Sequence, residues 1–368
     1  MRLPKTVDLA TRLTRSGKLT EALAALTAEV PALRDIKPLS GWPERTRLLP
    51  VDGGSLKSAL DAGLGALGRL GTPAGLKQGG AASPAVPEGA RFLERSFAGA
   101  SGQLTYKLYV PSRGGTAPLP LVVMLHGCTQ SPDDFAAGTR MNQWAEQEGF
   151  LVAYPAQSRT ANAQKCWNWF RTVDQGRSGE PALIVGMVNE IARDEAVDPT
   201  RIYVAGLSAG GAAAAVLGQN YPEIFAAVGV HSGLACGAAA DMASAFAAMR
   251  SGAIGVPTGA GVPTIVFHGD HDSTVAPING AQVLAQAEGK APLTAQVENG
   301  RSPGGVGYTR TLQTDADGRP VSEHWVLHGA GHAWAGGDPA GSYTDPRGPD
   351  ATAAMLRFFN HHKVGSRR

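Results

Sequence analysis

Ile202-Tyr203-Val204-Ala205-Gly206-Leu207-Ser208-Ala209-Gly210-Gly211-Ala212-Ala213-Ala214-Ala215 is the stretch on which the fold turns. Its first four residues are apolar and suit a buried strand. Its alanine run suits the start of a tightly packed helix. Between them Gly-x-Ser-x-Gly leaves room only for a sharp strand-to-helix turn, in which backbone segments approach so closely that glycine is needed on both sides of the serine. Such a turn lifts its central side chain clear of the sheet. It also aims a helix N-terminus, with free N–H groups and the positive end of the dipole, at any negative charge developing beside it. Ser208 is therefore the candidate nucleophile, and the Ala209 N–H a candidate donor to an oxyanion. A bare five-residue match would be read as an incidental serine in a Gly-rich turn; the strand and helix on either side argue against that.

Working outward, short apolar runs at 119–125, 150–155, 201–205, 226–230 and 263–267 suit buried parallel strands. Residues 104–110 alternate like a strand with one exposed face, and 324–327 read as a further strand. Helices are expected at 132–147, 182–194 (closed by an Asp198-Pro199 turn), 209–219, 278–288 and 351–360. Strands alternating with helices predict an α/β fold with a mostly parallel sheet covered on both faces. The first 90 residues read differently. Residues 5–30 and 56–70 have helical apolar spacing, and 71–89 is a Gly/Pro/Ala-rich linker. The expected organisation is a helical extension with linker over 1–90 and a catalytic domain over 91–368.

Composition narrows the function classes. The net charge is +2, from 33 basic and 31 acidic residues, which gives no footprint for nucleic acid. No apolar run approaches the ~20 residues that span a bilayer, so no transmembrane segment is expected. Met1-Arg2-Leu3-Pro4-Lys5 has charge but no apolar stretch behind it, so no secretory leader is read and the expected location is cytoplasmic. The three cysteines are too few for a disulfide framework and lack metal-ligand spacing. No cofactor or metal is called for.

Two further segments complete a constellation. Val122-Val123-Met124-Leu125-His126-Gly127-Cys128 is an apolar strand ending in His-Gly about 80 residues before Ser208, where a second oxyanion donor belongs; the Cys128 N–H is assigned to it. After the serine, the chain order of acid then base points to His268-Gly269-Asp270-His271-Asp272 and then to His328-Gly329-Ala330-Gly331-His332. Of the two aspartates, Asp272 fits the acid and Asp270 a turn residue. Of the two histidines, His332 lies past the strand end in a Gly-rich loop and fits the base, whereas His328 closes the strand. A carboxylate at Asp272 would accept from the imidazole and offset its charge.

These segments, with Thr129-Gln130, Cys166-Trp167-Asn168-Trp169-Phe170, His231-Ser232-Gly233-Leu234, Val275 and Ala333-Trp334, resemble the polyhydroxybutyrate depolymerase family of α/β-hydrolase esterases, related to feruloyl and acetylxylan esterases. The resemblance spans about residues 100–360. It implies a Ser208–Asp272–His332 triad acting on esters of short-chain hydroxyalkanoate polymers or oligomers through an acyl-enzyme. Feruloyl or acetylxylan ester hydrolysis, and a non-catalytic granule-binding role, are the alternatives. The resemblance also makes Cys128 and Cys166 candidates for a disulfide, which would suit an oxidising compartment. Substrate-lining roles are expected for Trp334, for His231 and for one of Trp167 and Trp169, the other packing the core. Secreted polymer-degrading members carry a leader and an added binding domain; neither is read here, which favours soluble or amorphous substrates.

Overall fold

In the computed structural model, the residues described are 84–365, apart from 113–116, 257–258, 260 and 290–291. The helices expected at 5–30 and 56–70, and the linker from 71 to 83, lie outside them.

Among the described residues, ten strands make one sheet: β1 Arg91–Gly99, β2 Gly102–Val110, β3 Leu119–Leu125, β4 Leu151–Ala156, β5 Val197–Leu207, β6 Ala227–His231, β7 Thr264–Gly269, β8 Thr294–Arg301, β9 Gly307–Thr314 and β10 Pro320–Leu327. The spatial order is β1-β2-β4-β3-β5-β6-β7-β10-β9-β8. The six central strands, β4 to β10, are parallel, and an antiparallel pair closes each edge. Seven helices cover it: α1 Pro132–Thr139, α2 Met141–Glu148, α3 Gly179–Asp194, α4 Ala209–Asn220, α5 Met242–Ser251, α6 Ile278–Glu288 and α7 Ala351–Phe359.

Period-two alternation divides the core between the two faces. On β3, Leu121, Val123 and Leu125 point into a cluster with Ile184 of α3, Leu217 of α4 and Val283 of α6. Val122 and Met124 point the other way, among Phe135 of α1, Met141 of α2 and Phe358 of α7. A strand buried on both sides has no polar face, which is why these runs read as continuously apolar.

The chain passes from β3 outward to β4 on one side, then returns to place β5 on the other side of β3. This reversal of strand order opens a crevice between the C-terminal ends of β3 and β5, the place where open α/β sheets hold ligands. Leu125 and Gly206 are paired there, so the segments after them face each other across the crevice.

Two expectations are corrected. The helix expected at 132–147 is broken at Arg140, which takes a left-handed conformation (φ 56°). Its side chain is held there by the Gly336 carbonyl at 2.8 Å and the Asp350 carboxylate at 2.7 Å. The Asp198-Pro199 pair does not end a helix before β5. It lies inside β5, where the register against β3 jumps from Val197 to Ile202, and a bulge can hold a residue with no N–H to give. The edge strands β1, β8 and β9 and helix α5 were not anticipated.

Candidate active site

Ser208 sits at the crossing of β5 and α4 with φ 58° and ψ −120°, a backbone region that costs a non-glycine residue about 1–3 kcal/mol. The surroundings hold it there. Its N–H donates to the His231 carbonyl at 2.9 Å, and its own carbonyl accepts from Ala212 at 2.9 Å. A Cβ on Gly206 would overlap the Gly210 backbone, and one on Gly210 would overlap the Leu125 carbonyl oxygen. Gly206 is thus imposed by the first turn of α4 folding back on it, and Gly210 by contact with the end of β3.

The Asp272–His332 pair comes from the ends of β7 and β10, beyond β6 in the sheet. Asp272 follows β7 and His332 follows β10, and their loops close on each other because Gly269 has no Cβ to meet the Ala330 carbonyl. The His271 N–H donates to that carbonyl at 3.1 Å. His332 Nδ1 lies 2.7 Å from Asp272 Oδ2. Asp272 Oδ1 accepts the Thr274 and Val275 N–H groups at 2.9 Å each. His268 Nε2 stands 3.5 Å from Oδ2 and 2.8 Å from the Val275 carbonyl. Burial alone would raise the Asp272 pKa. The adjacent imidazoles and the Val275 N–H outweigh it and hold the carboxyl far below the usual range. The competing aspartate has a separate partner: Asp270 Oδ2 lies 3.0 Å from Nδ1 of the half-exposed His328, and Oδ1 accepts the Gly329 N–H at 2.7 Å.

The turn after β3 is pinned from three sides. His126 is fully buried; its Nδ1–H donates to the Gly127 carbonyl at 2.7 Å and its Nε2 accepts from Gln157 N–H at 3.1 Å. Burial pushes its pKa down to about 4, so the ring stays neutral. Cys128 and Cys166 form a disulfide, and Thr129 N–H donates to the Gln164 carbonyl at 2.6 Å. Among the described residues, the backbone N–H groups of Cys128 and Ala209 have no protein acceptor.

Ser208, His332, Cys128 and Ala209 line one cavity of about 160 Å³. One wall is apolar: Trp169, Phe170 and Leu234, with Met242, Phe246 and Met249 from α5. Asn162 and Gln164 also line it and add polar groups.

Of the two tryptophans expected to divide between cavity and core, Trp169 borders this cavity, and neither Trp334 nor His231 does. Trp167 is buried, with its Nε1–H on the His126 carbonyl at 3.1 Å. Trp334 is buried too, its Nε1–H on Thr352 Oγ1 at 3.0 Å. His231 is stacked between Phe267 and Trp334, and Nε2 accepts the Ala335 N–H at 3.0 Å. An indole or imidazole whose polar atom finds a backbone or hydroxyl partner is free to be core. The α5 wall was missed, although Met242, Ala245, Phe246 and Met249 follow i, i+3, i+4, i+7 and signal an apolar helix face.

A family model described as Esterase PHB depolymerase matches residues 104–291, half of the chain. The chain belongs to this family. The matched span contains the Ser208 turn and the Asp272 loop; His332 lies beyond it. Poly(3-hydroxyalkanoate) depolymerase C of Paucimonas lemoignei is 33% identical over 249 residues, which cover 63% of this chain and 58% of that protein. Feruloyl esterase B of Thermothelomyces thermophilus is 31% identical over 220 residues, 54% of this chain and 74% of that one. The alignment thus spans little more than half the length of the depolymerase. An acetyl xylan esterase structure from Aspergillus awamori matches with a TM-score of 0.57 at 20% identity, over 74% of this chain and 99% of that one. The fold is that of the α/β-hydrolases.

Proposed function

We propose that the chain hydrolyses carboxylic esters through an acyl-enzyme on Ser208. The observation that carries this reading is the 2.7 Å Asp272–His332 bond, from a histidine that lines the same cavity as a strained, turn-mounted serine. In the proposed reaction His332 takes the Ser208 proton as the hydroxyl attacks the ester carbonyl. Asp272 orients the ring and balances its positive charge. The Cys128 and Ala209 N–H groups stabilise the tetrahedral oxyanion. His332 then gives the proton to the departing alkoxide, and a water activated by the same ring releases the acid and regenerates the serine.

The proposed substrate is an ester of a short-chain 3-hydroxyalkanoate, as polymer or oligomer. Its aliphatic acyl part suits the apolar wall of Trp169, Met242, Phe246 and Met249, and the depolymerase names of the relatives point the same way. A second reading, a hydroxycinnamoyl ester, is favoured by the edge-to-face Trp169–Phe170 pair in that wall. The test is a panel of hydroxybutyrate trimer, amorphous and crystalline polymer, methyl ferulate and acetylated xylan, run with wild type and Ser208→Ala. Turnover of the trimer and amorphous polymer, lost in Ser208→Ala, is expected. Preference for methyl ferulate would select the second reading, and full activity in Ser208→Ala would end both.

A further inference from the structure

The buried side chain of Gln130 has no part in the chemistry above, yet it meets the turn after β3 at a decisive atom. Its Oε1 accepts the Gly127 N–H at 2.8 Å, one residue before the proposed donor Cys128. Its Nε2 donates to Asp134 Oδ2 at 2.8 Å and to the Ser342 carbonyl at 3.0 Å. Asp134 in turn accepts from Ser342 through the backbone N–H at 2.9 Å and the hydroxyl at 2.6 Å. Gln130 and Asp134 are 3% and 5% exposed, so none of these bonds is readily replaced by water.

We infer that Gln130 is a positioning residue for the oxyanion hole: by capping Gly127 N–H it orients the turn so that Cys128 N–H is presented to the cavity. Two adjacent N–H groups on a tight turn compete for direction. With Gly127 N–H satisfied inward by an amide oxygen, the next peptide is left to face outward, and it has no protein acceptor. Asp134 and Ser342 fix which way the amide lies: a carboxylate accepts only, so the NH₂ must point at it and the carbonyl at Gly127. The same network ties in Ser342, whose neighbour Tyr343 lines the cavity with a left-handed backbone (φ 54°). The inference rests on the oxyanion assignment in the proposed function.

The chemistry of the pair provides its own test. In Gln130→Leu, Gly127 N–H loses its acceptor; kcat should fall on the order of 10²-fold, as for loss of one oxyanion donor, with KM nearly unchanged. A trifluoromethyl ketone, which mimics the tetrahedral state, should lose affinity in parallel. Gln130→Glu keeps the acceptor but sets a carboxyl against Asp134, so its kcat should recover as pH is lowered and the two share a proton. The charged groups facing the pair are Lys165, with Nζ 3.5 Å from the Gln130 carbonyl, and Asp134 itself; His126 nearby is neutral. Gln130→Glu with Asp134→Asn rebuilds the 130–134 bond with donor and acceptor exchanged but leaves the Ser342 carbonyl without its donor, so it should restore part of the lost kcat and remove the added pH dependence. Rates are taken per serine labelled by a fluorophosphonate at end point, so unfolded protein is not counted. Gln130→Leu within threefold of wild type, or a double variant no better than Gln130→Glu, overturns the inference. Either result with Ser208→Ala inactive leaves the esterase reading standing.

Discussion

At the scale of single residues, the buried Asp272 carboxylate accepts from two backbone N–H groups and lies against the imidazoles of buried His268 and partly buried His332. Neutralising it by Asp272→Asn would keep the shape but turn an NH₂ toward one of its donors, leaving His332 without its anion and in the wrong tautomer. kcat on the trimer should fall on the order of 10³–10⁴-fold with KM little changed; steady-state kinetics at pH 7.5 would check this, and a loss under tenfold would move the acid elsewhere. Because the wild-type carboxyl is held so low, acidification to pH 5 leaves it ionised, and any activity lost there belongs to another group. Residue identity was where the sequence spoke most clearly. Ser208 stands between two glycines that a close backbone approach requires, and Asp272 follows three residues after a third, Gly269. Trp167, Trp334 and His231 were legible as types but not as places: whether an indole N–H meets a carbonyl or a cavity depends on atoms far along the chain.

At the scale of elements, the central strands were readable because burial on both faces leaves an uninterrupted apolar run. The edge strands were not. β8 carries Gln296, Glu298, Asn299 and Arg301 and is almost wholly exposed, so neither hydrophobic alternation nor continuity marks it. Helix α5 was not read either, although Asp241 and Ser244 form a capping box at its start. This helix gives the cavity a wall of two methionines and a phenylalanine, deformable and without a hydrogen-bonding group. Met249→Trp should narrow the acyl side of the cavity. We expect kcat/KM for p-nitrophenyl butyrate and octanoate to drop about tenfold relative to acetate, on the order of what one or two methylenes are worth in an apolar pocket. Equal losses on all three esters would mean that α5 does not contact the acyl chain.

At the scale of the whole molecule, His126 and His231 are two of the imidazoles buried within the fold. Burial lowers the pKa of His126 to about 4 and of His231 to about 3, from 6.5. The unfolded chain therefore binds more protons below about pH 6.5, and stability is full above that value and declines as the pH falls toward the folded values. Each ring should remove on the order of 3 kcal/mol by pH 4, a large share of a domain's usual 5–15 kcal/mol. Urea unfolding between pH 7.5 and 4 should show the midpoint retreating steadily once the pH passes below 6.5. A flat profile over that range would mean that these rings are hydrated in the folded protein. No local reading of the sequence gives this property, since it depends on both layers of helices being in place.

The Cys128–Cys166 bridge has a consequence for anyone who prepares the protein. It joins a proposed catalytic backbone donor to a loop 38 residues away, and an open loop of that length adds roughly 4 kcal/mol of chain freedom to the denatured state. Material made and purified under thiol reductants would keep every catalytic side chain yet hold its anion-binding turn by hydrogen bonds alone. Two batches from the same gene, one handled in dithiothreitol and one in air, would then differ in specific activity and shelf life while giving identical bands on a denaturing gel run with reductant.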